Sequence, residues 1–158
     1  MKKYIILFAA AVMGLSLTSC VDEDGAGVPI PPKMLLQSTE YNVDFSDAEQ
    51  ASLTLRWIDV KNATYSVFFS NNENETTMPL NNTVTAGELN VLSMDIPYSQ
   101  IKSYIETAAI EPVEGIYTIL INVTGTPVNR NQPTSLEPTG SNVQATILVS
   151  GLDDEGEE

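Results

Sequence analysis

Tyr117, Ile119, Ile121 and Val123 alternate with Thr118, Asn122 and Thr124, and rows of the same period recur along most of the chain. Tyr41, Val43 and Phe45 form one such row, Leu53, Leu55 and Trp57 a second, and Tyr65, Val67 and Phe69 a third. Leu92, Met94 and Ile96 follow, and Val143, Ala145, Ile147 and Val149 close the series. Successive side chains of a strand point to opposite faces, so each row is one apolar face that a sheet must bury. Polar clusters at 46–50, 59–62 and 71–77 separate the rows as turns. Lys33 to Gln37 can start a first edge strand, while Met78 to Gly87 is ambiguous, with a short edge strand at Thr83–Thr85 as one reading. Short strands at this spacing predict an all-β, two-sheet sandwich of about seven strands.

One segment departs from period two. Ile101, Tyr104, Ile105 and Ala108 stand at helical spacing after Pro97, and Pro112 prevents any continuation. A short helix over Tyr98–Ala109 is therefore expected, inserted before the penultimate strand. Phe68, Ile116, Leu120 and Leu148 fall on the outward positions of strands expected to share one sheet. The preferred reading lays the helix over them; a protein interface is the other.

The two ends read differently. Lys2 and Lys3 precede a mostly apolar run from Tyr4 to Leu17, and Thr18-Ser19 are small. That is the order of a secretory signal, and about 14 residues is short of the roughly 20 a spanning helix needs. Residues 1–19 are thus expected to be a signal peptide. Residues 20–32 form a tether: the acidic cluster Val21-Asp22-Glu23-Asp24-Gly25, then the stiff Ala26 to Pro32 spacer. The sandwich is expected over 33–150, and 151–158 is expected to be a disordered acidic tail.

Composition excludes several functions. All 21 acidic residues follow Cys20, and once Lys2 and Lys3 leave, five basic residues oppose them, a formal charge of −16. Such a field repels phosphate backbones, which argues against nucleic acid. There is no histidine, and Cys20 is the only cysteine, so neither a Ser-His-Asp triad nor a disulfide is available. Asp59, Asp95, Glu106 and Glu111 are the structured carboxylates, but nothing pairs them for acid–base work. The chain is read as a binder and not an enzyme, with no cofactor and no metal site.

Recognition then has few places to reside. Trp57 alternates inward and is assigned to the core, whereas Tyr98 and Tyr104 are expected to be the partly exposed aromatics. The connection Gly125 to Gly140 is long and carries Asn129, Arg130, Asn131 and Gln132 at its tip. These four are the candidate ligand or partner contacts, although asparagine-rich tips are also simply good turns.

Leu17-Thr18-Ser19-Cys20 resembles the lipobox of bacterial lipoproteins, in which the cysteine is lipidated on sulfur and becomes the new N-terminus. The acidic cluster after it resembles the signal that sends lipoproteins of Bacteroidetes-type bacteria to the outer face of the outer membrane. Trp57 and Tyr117 stand where fibronectin type III and immunoglobulin-like sandwiches keep a core tryptophan and a tyrosine corner. More narrowly, residues 33–150 are similar to the N-terminal domain of SusE-type outer-membrane lipoproteins. The resemblance is carried by Ala51 to Trp57, the helix Tyr98–Ile105, Ile116 to Thr124, and Ser141-Asn142-Val143 before the last strand. It implies a lipid-anchored protein of the cell exterior that assists starch or glycan uptake. Its implied partners are a TonB-dependent transporter and the SusD-type protein beside it, with polysaccharide as a possible ligand. Family members usually continue into further carbohydrate-binding domains whose glycan residues have no counterpart here. The other expectation is a structural or adhesive immunoglobulin-like surface lipoprotein with no glycan role.

Overall fold

The computed structural model describes residues 33–47, 49–73, 75–129, 131–136 and 140–152. The signal peptide, Cys20, the tether, Arg130 and the tail beyond Leu152 lie outside them. The remainder is an all-β sandwich with one short helix before the penultimate strand.

Five strands make the larger sheet. β1 (Glu40–Asp44), β3 (Ala63–Ser70), β4 (Thr77–Leu80), β7 (Tyr117–Pro127) and β8 (Ser141–Ser150) lie in the order β1-β8-β7-β3-β4. β7 pairs antiparallel with both neighbours, while β1 runs parallel to β8, Tyr41 opposite Ile147. The smaller sheet contains β2 (Ser52–Ile58), β5 (Val84–Ala86) and β6 (Val91–Pro97) in the order β2-β6-β5. The ambiguous stretch at 78–87 thus holds two strands. β4 closes one edge of the larger sheet and β5 one edge of the smaller, because Asn81 to Thr83 carry the chain across. The expected edge strand at Lys33–Gln37 reduces to a single bridge, Leu36 to Trp57, supported by Gln37 N–H to the Arg56 carbonyl and Ile58 N–H to that of Leu35.

The apolar rows meet between the sheets as their period requires. Leu55, Trp57, Ile96, Phe69, Ile119, Ile121, Val123, Ile147 and Val149 are all essentially inaccessible. Burying each such side chain contributes about 1.5–3 kcal/mol, and without a disulfide this packing holds the fold. Trp57 sits edge-on to Tyr65, ring centroids 5.7 Å apart.

α1 (Tyr98–Thr107) starts where β6 stops, with Pro97 as the last strand residue and the helix N-cap. Its position corrects the sequence reading. Ile101, Tyr104 and Ile105 join the interior cluster, so α1 closes the sandwich interior and does not lie over Phe68 and Leu120. Tyr98 and Tyr104 are accordingly buried, not partly exposed. The cause is the absence of a loop at Pro97: the helix continues from an inward-facing strand and stays on that side. Its far end is a Schellman closure, with Ile110 N–H on the Ile105 carbonyl and Ala109 N–H on that of Glu106, Ala109 being left-handed at φ 48°.

Two further placements differ. Ile116 belongs to a tight hairpin with Val113, closed by reciprocal backbone bonds. Glu114 and Gly115 between them both have positive φ, as a type I′ turn requires. Ile116 therefore stands at 42% exposure ahead of β7 and not within the strand's outer face. At the other terminus Leu152, placed in the tail by sequence, packs against the core.

Candidate functional site

The tip of the β7–β8 connection is built as a turn. The Asn129 side-chain oxygen accepts the Asn131 amide at 2.9 Å, and its carbonyl accepts that of Gln132 at 3.0 Å. The loop is fastened to the β2–β3 turn by Asn62, whose amide donates to the Pro133 carbonyl and whose own carbonyl accepts the Val128 N–H. Leu136 then returns to the core above Gly125, where an added Cβ would lie 3.1 Å from it. Asn129, Asn131 and Gln132 are all exposed. Of the predicted contacts the structure brings these three together, with Asn129 folding the tip.

A cleft of about 570 Å³ lies against the smaller sheet, bordered by Leu35, Gln37, Arg56, Ile58, Glu88 and Val91. Its size falls in the range of small-molecule sites. The β5–β6 connection forms one wall, and there Leu89 and Asn90 are both left-handed, at φ 55° and 59°. Leu89 is 92% exposed as a result. Asparagine takes a positive φ readily but leucine seldom does, so nothing in the sequence marks Leu89 for this wall.

The outer face of the larger sheet holds a connected polar network. Asn122, on central β7, is only 3% exposed. Its amide donates to Ser70 Oγ at 2.8 Å, and its oxygen accepts from Gln144 Nε2 at 3.0 Å and Asn142 Nδ2 at 3.3 Å. Thr124 donates in turn to Asn142 Oδ1 at 3.0 Å. Register places Phe68, Asn122 and Gln144 side by side across β3, β7 and β8, with Pro79 of β4 beyond Phe68. Phe68 and Leu148 are half-buried and Leu120 is buried, so the expected outer apolar patch is broken by amides. Asn122 was legible only as an outward polar residue. Its network depends on which strands flank β7.

The carboxylates are engaged singly. Tyr65 Oη donates to Asp59 Oδ1 at 2.8 Å and accepts the Val60 N–H at 2.5 Å. Burial pushes this phenol up to about 12, with the Asp59 carboxylate adding to the rise. Asp95 accepts Thr54 Oγ1 at 2.6 Å on the outer face of the smaller sheet. Asp44 accepts both the hydroxyl and the amide of Ser46, which hold its carboxyl below the usual range. Among the described residues no three of His, Cys, Asp or Glu converge as metal ligands.

No protein-family model matches the chain, and no curated protein is similar to it. Among solved structures, the periplasmic chaperone SfaE is similar at 14% identity and a TM-score of 0.42, over 76% of this chain and 58% of the chaperone's. A copper-bound variant of FetP from uropathogenic Escherichia coli is similar at 10% identity and a TM-score of 0.36, over 70% of this chain and 77% of FetP. This chain thus spans little more than half the chaperone's length.

Proposed function

We propose that this chain is a surface-exposed outer-membrane lipoprotein that assists glycan capture beside a TonB-dependent transporter and its SusD-type partner, working by recognition and not by catalysis. The observation that carries the reading is Leu17-Thr18-Ser19-Cys20, which sets the one thiol of the chain behind two small residues and an apolar run. The acidic Val21–Gly25 segment supports an outward-facing destination, and the SusE-type resemblance of residues 33–150 supports the glycan role. A rigid sandwich that displays loops and sheet faces is a scaffold suited to binding.

The test is made in the native cell. Wild-type protein is expected to incorporate labelled fatty acid, to fractionate with the outer membrane and to be cut by protease added to intact cells. Cys20→Ser is expected to lose label and membrane retention together. A membrane-bound Cys20→Ser form would remove the anchor. Affinity purification of the lipidated protein is expected to bring down the transporter pair; recovery of neither component favours the adhesive alternative.

A further inference from the structure

Strands β3, β4, β7 and β8 contain no Asp, Glu, Lys or Arg along their 8, 4, 11 and 10 residues. The chain is 18% charged with a formal charge of −14, so about six charges would be expected there on composition. Charged side chains on solvent-facing strand positions are the usual means of keeping a sheet wet and unassociated. They are present elsewhere in this molecule. Arg56 and Asp95 stand on the outer face of the smaller sheet, and Glu40 and Asp44 on edge strand β1. Four adjacent strands share the gap, and their outward positions carry hydroxyls and amides with Phe68, Pro79, Leu120 and Leu148 among them.

From this we infer that the outer face of β3, β7 and β8 is a platform for an uncharged, hydroxyl-rich polysaccharide, centred on Phe68, Ser70, Asn122, Thr124, Asn142 and Gln144. The inference rests on the glycan reading above and narrows it to neutral chains at a defined place. Charge complementarity selects the ligand. A face with no ionic group offers nothing to a sulfate or uronate, and the surrounding acidic field repels both. Amides and hydroxyls donate and accept, as sugar hydroxyls do. Gln144 spends one N–H on Asn122, and its Oε1 has no partner among the described residues. Asn142 likewise uses one of its two N–H groups. Half-buried Phe68, flanked by Pro79 and Asn122, supplies an apolar surface for the C–H face of a sugar ring. Asn122 is held by bonds to both neighbouring strands, which fixes Gln144, Asn142 and Ser70 before any ligand arrives and lowers the ordering cost of binding.

The test uses purified full-length protein in detergent and affinity electrophoresis through gels containing amylopectin, dextran, xyloglucan or arabinan, against polygalacturonate and dextran sulfate. Retardation is expected by at least one neutral polymer and by neither anionic one, and about equally at 50 and 500 mM salt. Phe68→Ala and Gln144→Ala are each expected to weaken it about ten-fold or more. Ser66→Lys, at an exposed position opposite Thr124 on the same face, is expected to do the same without touching the core. Thermal melts confirm folding, and Lys102→Ala, exposed on α1, serves as the binding control. Neutral-glycan binding that survives all three face substitutions overturns the platform while leaving the glycan reading intact. Binding of the anionic polymers alone overturns the neutral class. If no polymer is retarded and the face variants instead lose a protein from the affinity-purified complex, the face is a protein interface and the inference is wrong.

Discussion

The rings of Tyr104 and Phe69 stand 5.2 Å apart, inclined at 33°, and this pair joins α1 to the inner face of β3. Tyr104 is fully buried and its hydroxyl donates to the Thr76 carbonyl at 2.6 Å, so one residue ties the helix to both the core and the β3–β4 turn. Tyr104→Phe keeps the ring and removes the hydrogen bond, and is expected to cost about 1 kcal/mol. Tyr104→Ala opens a cavity under the helix and is expected to cost about 3–5 kcal/mol. Urea unfolding of the two variants measures the difference; equal losses would place the helix outside the cooperative core.

Ala109 occupies the left-handed position that ends α1, a conformation in which its methyl group is strained. Ala109→Gly is expected to stabilise the fold by about 0.5–1 kcal/mol, although glycine generally weakens a chain by enlarging its unfolded ensemble. A rise in the urea midpoint with an unchanged slope checks it.

Gly140 immediately precedes the last strand, at φ +95°, and an added Cβ would stand 2.6 Å from the Gly125 carbonyl oxygen. Both the dihedral and the contact oppose a side chain there. Gly140→Ala is expected to cost about 1–3 kcal/mol, read as a lower melting temperature.

Alkaline titration is expected to weaken the fold in a defined window. Tyr65 ionises near 10 when unfolded and near 12 when folded, because burial disfavours the phenolate and Asp59 repels it. Its contribution is therefore intact below pH 10 and is lost as pH rises from 10 through 12, where the unfolded chain releases a proton that the native state keeps. Burial likewise raises Tyr41, Tyr98 and Tyr104, which steepens the decline. Tyr65→Phe is expected to reduce the slope of stability against pH above 10 without abolishing it. Urea midpoints at pH 9, 10.5 and 11.5 give the comparison.

The strands were readable because each inward row is nearly unbroken, as in Ile119, Ile121 and Val123, and such a pattern admits only one buried face. The helix was readable from Ile101, Tyr104 and Ile105, but not its side of the sheet, since spacing reports a stripe and not what the stripe meets. Ile116 was misplaced for a related reason: Glu114-Gly115 turns the chain just before the strand, and an apolar residue on either side of that turn looks the same. The tip at Asn129, Asn131 and Gln132 was legible as an exposed turn from loop length and composition. Asn122 was not, because its burial comes from Gln144 and Asn142, twenty and more residues away.

Asn122 also bears on how the larger sheet is assembled. The inward rows of β3, β7 and β8 are so even that a slide of two residues would keep each of their apolar residues inward. In the native alignment this amide stands between Phe68 and Gln144 and reaches Ser70 diagonally, so it is bonded to both neighbouring strands at once. A shifted sheet would be as greasy inside but would exchange these partners for others, so the bonds of one asparagine bear on which alignment the strands settle into as they zip together.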